Sequence, residues 1–335
     1  MSRRATPRAP TFHCALGPAL TRLLASKRAA GYRYRDEARA LGVLDRFLSQ
    51  QLSPEDPVIT REISRAFVAR RGDESETTRE HRTSLLRVVT RFLALEVPRT
   101  AVPGPRWCGI HRRAFVPRVL SLEEAQRFLR ACDALPSCAR SPARGSVLGT
   151  LLAVLYLTGL RAGEGLRLAD HDVDLAEAVV RVRDTKFGKS RVVPLAADLT
   201  ARLRQCRTHV VTRFGPREPD APFFPGPTHD VYSITALRAA FHHVLRLADI
   251  PRRREGQALR LHDLRHSFAV SRLTLWYRQG VDLDVVLPAL AIYLGHVGLA
   301  SSQRYLQVTP DLFTEITRRT QARFGHLITE AGAGR

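Results

Sequence analysis

A chain of 335 residues that is 44% hydrophobic is long enough for two domains and can bury a full core without disulfide or metal staples. Its formal net charge of +21, from 53 Lys plus Arg against 32 Asp plus Glu, attracts polyanions and repels basic surfaces. Nucleic acid leads as the partner, although an anionic membrane or a ribosomal surface would suit the same charge. The five cysteines, Cys14, Cys108, Cys132, Cys138 and Cys206, form no Cys-x-x-Cys pair and suit free thiols in a reducing cytosol. The basic, Pro-bearing start does not read as a signal peptide. The uncharged run from Gly145 to Leu160 falls short of a bilayer span, so the expectation is a cytoplasmic protein with no membrane partner.

Residues 1–15 read as a disordered basic arm. Residues 16–97 are helical in pattern: Leu41, Leu44, Phe47 and Leu48 recur at helical spacing, as do Leu85, Val88, Val89 and Phe92. Pro54, Pro57 and Gly72 interrupt the pattern, which predicts a small all-α domain of about four helices. Its Arg61, Arg65, Arg70, Arg71, Arg79, Arg82 and Arg87 each read singly as a solvated helical face; as a set they suggest DNA contact. Residues 98–114, with Pro98, Pro103, Gly104 and Pro105 among arginines, read as a linker.

A second domain is expected over residues 115–335. Ser121 with Glu124 forms a capping box ahead of Ala125, Phe128 and Leu129, and the Gly145 to Leu160 run reads as a buried helix. Val179–Val182 and Arg191–Leu195 flank a polar stretch containing Lys186, Gly188 and Lys189, which predicts a β-hairpin. Helices resume after it, and Thr309-Pro310 is a good helix start. The fold class expected is mainly α with a small antiparallel β-sheet.

Three short segments carry chemistry: Thr158-Gly159-Leu160-Arg161-Ala162-Gly163-Glu164, His262-Asp263-Leu264-Arg265-His266, and Leu294-Gly295-His296, with Tyr305 nine positions after His296. Guanidiniums never lose their charge at neutral pH and can bind phosphate oxygens bidentately, which makes Arg161 and Arg265 candidates for an anion clamp. The His-x-x-Arg spacing of His262 and Arg265 puts both on one helical face. A Gly-rich phosphate loop, an HExxH motif and an evident two-metal acid cluster are all missing from the sequence.

In order and in spread over the C-terminal half, these segments resemble the catalytic domain of the tyrosine recombinases, the phage-integrase-like enzymes. The resemblance implies that Tyr305 attacks a phosphodiester and becomes joined to DNA as a 3′-phosphotyrosine. It implies Arg161 and Arg265 as the phosphate clamp, His262 as general base, His296 as a further hydrogen bond to the phosphate, and a hairpin lysine as acid for the leaving 5′-oxygen. Lys186 matches that lysine best, with Lys189 a nearby rival. Glu164 is expected to orient Arg161, and His266 to cap or pack.

A phenol of pKa about 10 is mostly protonated at neutral pH, so nearby positive charge must favour the phenolate. Of the other tyrosines, Tyr293 sits in an apolar stretch and reads as core. The stretch from Tyr277 to Leu290 is longer than in the simplest members of the family. The family further implies a two-domain C-shaped DNA clamp, with a helical core-binding (SAM-like) domain beside the catalytic domain. It implies double-stranded DNA as partner, a homo-tetramer on two DNA sites, and no metal, cofactor, ATP or small-molecule substrate. The rival readings are a type IB topoisomerase, which reseals the original strand, and a non-catalytic DNA-binding protein on the same fold.

Overall fold

Helical spacing of apolar side chains, with a capping hydroxyl ahead of several of the runs, accounts for most of the architecture. The computed structural model describes residues 10–32, 34–104, 117–139, 141–183, 190–254 and 256–295. The chain divides into two units, residues 1–114 and 115–335.

The first unit holds helices α1 (Gly17–Ala29), α2 (Arg35–Leu48), α3 (Arg61–Val68) and α4 (Glu76–Leu93). The Thr60 hydroxyl accepts from the Ile63 N–H and that of Ser75 from the Thr78 N–H, so each satisfies a free amide at the start of α3 and α4. Leu20, Leu41, Leu44, Leu48, Ile59, Phe67, Leu86 and Val89 are buried between the four helices. The stretch expected as a disordered arm differs where it is described. Phe12 packs on this core, Cys14 is buried in it, and the buried Asp45 carboxylate accepts from the backbone N–H groups of His13 and Cys14 at 2.9–3.0 Å.

Several of the arginines expected as a DNA-contact set also brace this unit. Arg82 donates to Glu74 and to the carbonyls of Phe67 and Ala69, Arg79 to the Val68 carbonyl, and Arg87 to the carbonyls of Pro103 and Gly104. The physical reason is that carbonyls at loop ends need donors, and a long guanidinium supplies several at once.

The second unit opens on α5 (Leu122–Asp133), where Ser121 and Glu124 form the reciprocal cap. Its α6 (Arg144–Thr158) is apolar on every side and buried between α5, α8 (Ala197–Phe214), α9 (Ile234–Leu247) and α10 (Asp263–Arg278). After the short α7 (Ala162–Leu166), strands β1 (Val173–Asp174), β2 (Val179–Val182) and β3 (Arg191–Pro194) form a three-stranded antiparallel sheet in the order β1-β2-β3. Val182 pairs with Arg191, so these two residues close the ladder beside residues 184–189. A two-stranded ribbon, β4 (Arg253–Arg254) with β5 (Gln257–Ala258), precedes α10.

Helix α11 (Leu283–Leu294) packs on α10 through Phe268, Leu273, Leu287, Leu290 and Leu294. Where the chain enters this unit it is tied to α10, because the Leu120 N–H donates to the Ser267 hydroxyl at 3.0 Å. Lys186, Lys189, His296, Tyr305 and the helix start at Thr309 lie outside the described residues. Among the described residues, no helix is long and apolar enough to cross a membrane.

Candidate active site

The first motif is a helix end followed by a helix start. Helix α6 stops at Thr158, the backbone turns left-handed at Gly159 (φ 65°), and Arg161 is the extended residue ahead of α7. A Cβ on Gly159 would lie 2.6 Å from Phe268 Cδ1 and 2.9 Å from Leu294 Cδ2, so the turn requires glycine on grounds of both conformation and space. Glu164, in the first turn of α7, folds its carboxylate back to the Arg161 N–H at 3.0 Å and to Arg161 Nη1 at 2.7 Å.

Arg265 lies in the first turn of α10, and its side chain is almost wholly buried. Its Nη1 donates to the Gly159 carbonyl at 2.8 Å and its Nη2 to the Leu294 carbonyl at 2.5 Å. Both acceptors stand at helix C-termini, where unpaired carbonyls concentrate partial negative charge. Arg161 Nη2 donates to the next carbonyl along, that of Gly295, at 3.1 Å. Two permanently cationic groups from distant parts of the chain thus meet on adjacent peptide units at the end of α11. Gly295 is itself left-handed (φ 66°), and the chain leaves it toward His296.

His262 stands at the N-cap of α10 with its backbone already helical (φ −71°, ψ −20°), so its expected place within the helix becomes the cap while its spacing to Arg265 is kept. It keeps an exposed surface, yet its pKa is pushed below the usual histidine value. Desolvation of the ring is the main cause; Arg265, Arg260 and Arg161 add to it and Asp263 opposes it. A neutral imidazole able to accept a proton is the result. Asp263, fully buried, accepts from the Arg260 N–H at 2.7 Å and from its Nη2 at 3.1 Å, which fixes the chain's approach to the helix. The ring of His266 meets that of His262 edge-on, with centroids 4.9 Å apart.

Of the site residues expected from sequence, Arg161, His262 and Arg265 are therefore gathered at one place, whereas Lys186, His296 and Tyr305 fall outside the described residues. Burial raises the pKa of Tyr156, Tyr232 and Tyr293, the direction opposite to that needed for a phenolate nucleophile. Tyr293 also stacks on Phe268 at 5.5 Å.

The sequence reading missed Arg191. Its Nη2 donates to Glu164 Oε2 at 2.7 Å and its Nη1 to Oε1 at 3.3 Å. Burial alone would raise the Glu164 pKa, but the hydrogen bonds and charge of Arg191, with the N–H and side chain of Arg161, bring it down to about 2. A signal was available, since strand alternation puts Arg191 on the face of the buried Val193.

A model of the Phage integrase family matches residues 118–311. The protein y4rE of Sinorhizobium fredii (strain NBRC 101917 / NGR234), an integrase/recombinase by name, is 33% identical over 305 residues, covering 91% of this chain and 95% of that protein. Tyrosine recombinase XerD of Ralstonia nicotianae is 29% identical over 256 residues, covering 74% of each chain. Among solved structures, the Tn1549 transposon integrase in complex with transposon right end DNA superposes with a TM-score of 0.61 at 14% identity, covering 90% of this chain and 97% of that one. The XerH site-specific recombinase bound to palindromic difH substrate superposes with a TM-score of 0.58 at 19% identity, covering 78% and 70%. At such identities the structural matches speak for the fold: mainly helical, with small antiparallel sheets.

Proposed function

This chain belongs to the phage integrase family, and from that premise we propose that it is a site-specific recombinase acting through a 3′-phosphotyrosyl link between Tyr305 and DNA. Membership makes it an enzyme of the tyrosine recombinase class, which cuts and rejoins DNA strands. The observation that carries the finer reading is the meeting of Arg161 and Arg265 on the carbonyls of Gly159, Leu294 and Gly295, with His262 close enough to feel the charge of both arginines. A phosphodiester under attack gathers charge on its non-bridging oxygens, and preorganised cations stabilise that charge where water is partly excluded.

In this reading the Tyr305 oxygen attacks phosphorus while its proton passes to His262. The bond from phosphorus to the 5′-oxygen breaks, and that oxygen takes a proton from Lys186. Arg161 and Arg265 hold the non-bridging oxygens, and His296 adds a hydrogen bond. A 5′-hydroxyl of the partner strand then attacks the phosphotyrosine and releases Tyr305. The phosphotyrosyl bond keeps the energy of the broken linkage, so the cycle calls on neither ATP nor a metal.

The proposal extends to a helical core-binding domain over residues 16–97, a linker over 98–114 and a catalytic domain over 115–335 that close on double-stranded DNA as a C-shaped clamp. Four copies would act on two sites in the cytoplasm. Tyr305→Phe tests the reading on nicked duplexes tiled across the DNA flanking the protein's own gene. Binding should persist and the covalent adduct should disappear; an adduct that survives the substitution identifies another nucleophile.

A further inference from the structure

Arg191 is a buried cation that the reaction scheme above leaves without a role. It opens β3, its side chain is 10% exposed, and it grips Glu164 with both terminal nitrogens. Glu164 is more deeply buried, at 3%, and gives both of its oxygens to Arg161 as well. One carboxylate therefore lies between two guanidiniums. Of the two, Arg161 is the accessible one, with 31% of its side chain exposed.

The arrangement has an electrostatic consequence. A carboxylate paired with one arginine cancels its charge, whereas a carboxylate shared by two leaves the cluster with a net positive charge. Arg191 also lies beside the second anchor of Arg161. A Cβ on Gly295 would lie 3.1 Å from Arg191 Nη1, so the Arg191 guanidinium lies against the Gly295 backbone, whose carbonyl holds Arg161 Nη2. Without Arg191, the Glu164 oxygens would lose a two-pronged donor while buried. The remedy nearest to hand is a closed, bidentate pair with Arg161, which draws that side chain off Gly295 and neutralises it.

We propose that Arg191 is a positioning residue for strand cleavage: by sharing Glu164 and bracing Gly295, it leaves the charge of Arg161 uncancelled and keeps that side chain turned toward the scissile phosphate. The inference rests on the recombinase reading and deepens it. Arg191 touches no reacting atom in this account; it acts through Arg161.

The test compares Arg191→Met with the unsubstituted protein on the duplex that Tyr305 trapping recovers. The duplex is synthesised in three forms: with an ordinary scissile phosphate, with a methylphosphonate in its place, and with a 5′-bridging sulfur. On the ordinary phosphate, cleavage by the variant should fall by roughly 10²-fold, the scale of a misplaced catalytic group, with DNA affinity little changed. A methylphosphonate carries no charge in the ground state, so it makes little demand on the arginine clamp, and the gap between the two proteins should close to within a few-fold. With 5′-sulfur the leaving thiolate needs no proton, which relieves the lysine and not the clamp, so the gap should remain.

Arg191→Lys restores the charge without the fork and should fall between the other two proteins. If the methionine variant does not fold, the lysine variant carries the same comparison. The proposal is overturned if cleavage of the ordinary phosphate is unaffected, if the gap persists on methylphosphonate, or if it closes on the 5′-sulfur duplex instead. Failure of the unsubstituted protein to form a Tyr305 adduct on any form would count against the recombinase reading rather than against the role of Arg191.

Discussion

Left-handed glycines end both helices whose last carbonyls hold the arginine pair, and they set how tightly the site can close. At Gly159 an alanine would carry a positive φ and press its methyl into Phe268 and Leu294. Gly159→Ala should therefore cost roughly 2–4 kcal/mol, from backbone strain together with overpacking. Urea unfolding measures this directly, and a loss below about 0.5 kcal/mol would mean that the turn is not held as described.

Glu164 makes a prediction about acid. Its pKa in the folded protein is about 2, below the ordinary 4.5, so ionisation of this group favours the folded state. That contribution is fully present above pH 4.5 and is lost as the pH falls toward 2. Its size is on the order of 3 kcal/mol. Glu164→Gln should flatten this part of the stability profile, which unfolding titrations between pH 2 and 6 would register. Equal slopes for the two proteins would refute the shared-carboxylate account.

At the scale of elements, local signals made some parts legible and tertiary partners decided others. The cap at Ser121 and Glu124 was readable because both halves lie within four residues, and α5 starts there. The run from Gly145 to Leu160 became the buried α6, and the Val179–Val182 and Arg191–Leu195 flanks became β2 and β3, because uniform and alternating apolar patterns have distinct meanings. Strand β1 and the ribbon of β4 and β5 were not legible. Each strand is two residues long, and Arg253–Arg254 has no β-branched or apolar character; pairing partners alone define them.

Arg161, His262 and Arg265 could be picked out by motif, but the carbonyls of Gly159, Leu294 and Gly295 that hold the arginines could not, because a backbone acceptor leaves no mark in a sequence. Arg191 escaped for a related reason: its partner lies 27 positions away. If the reciprocal cap starts α5 as described, Ser121→Ala should destabilise the second unit by about 1 kcal/mol in urea unfolding. No measurable change would show that the cap is dispensable there.

For the whole molecule, charge is the dominant fact. A net charge of +21 cannot be accounted for by internal ion pairs, which balance acid against base, and it leaves a surplus for phosphates. Binding of the duplex should weaken by about 10³-fold or more between 50 and 200 mM salt, because each phosphate contact releases counterions. A salt-independent Kd would argue that the arginine surplus serves another purpose.

The central claim is that Tyr305 becomes joined to DNA within reach of Arg161 and Arg265. Its most direct test is to trap the unsubstituted protein on a nicked duplex from its own genomic surroundings, digest both components, and locate the modified peptide by mass spectrometry. The account predicts a nucleotide attached through a 3′-phosphate to the peptide containing Tyr305. A nucleotide attached to any other residue, or through a 5′-phosphate, would contradict it.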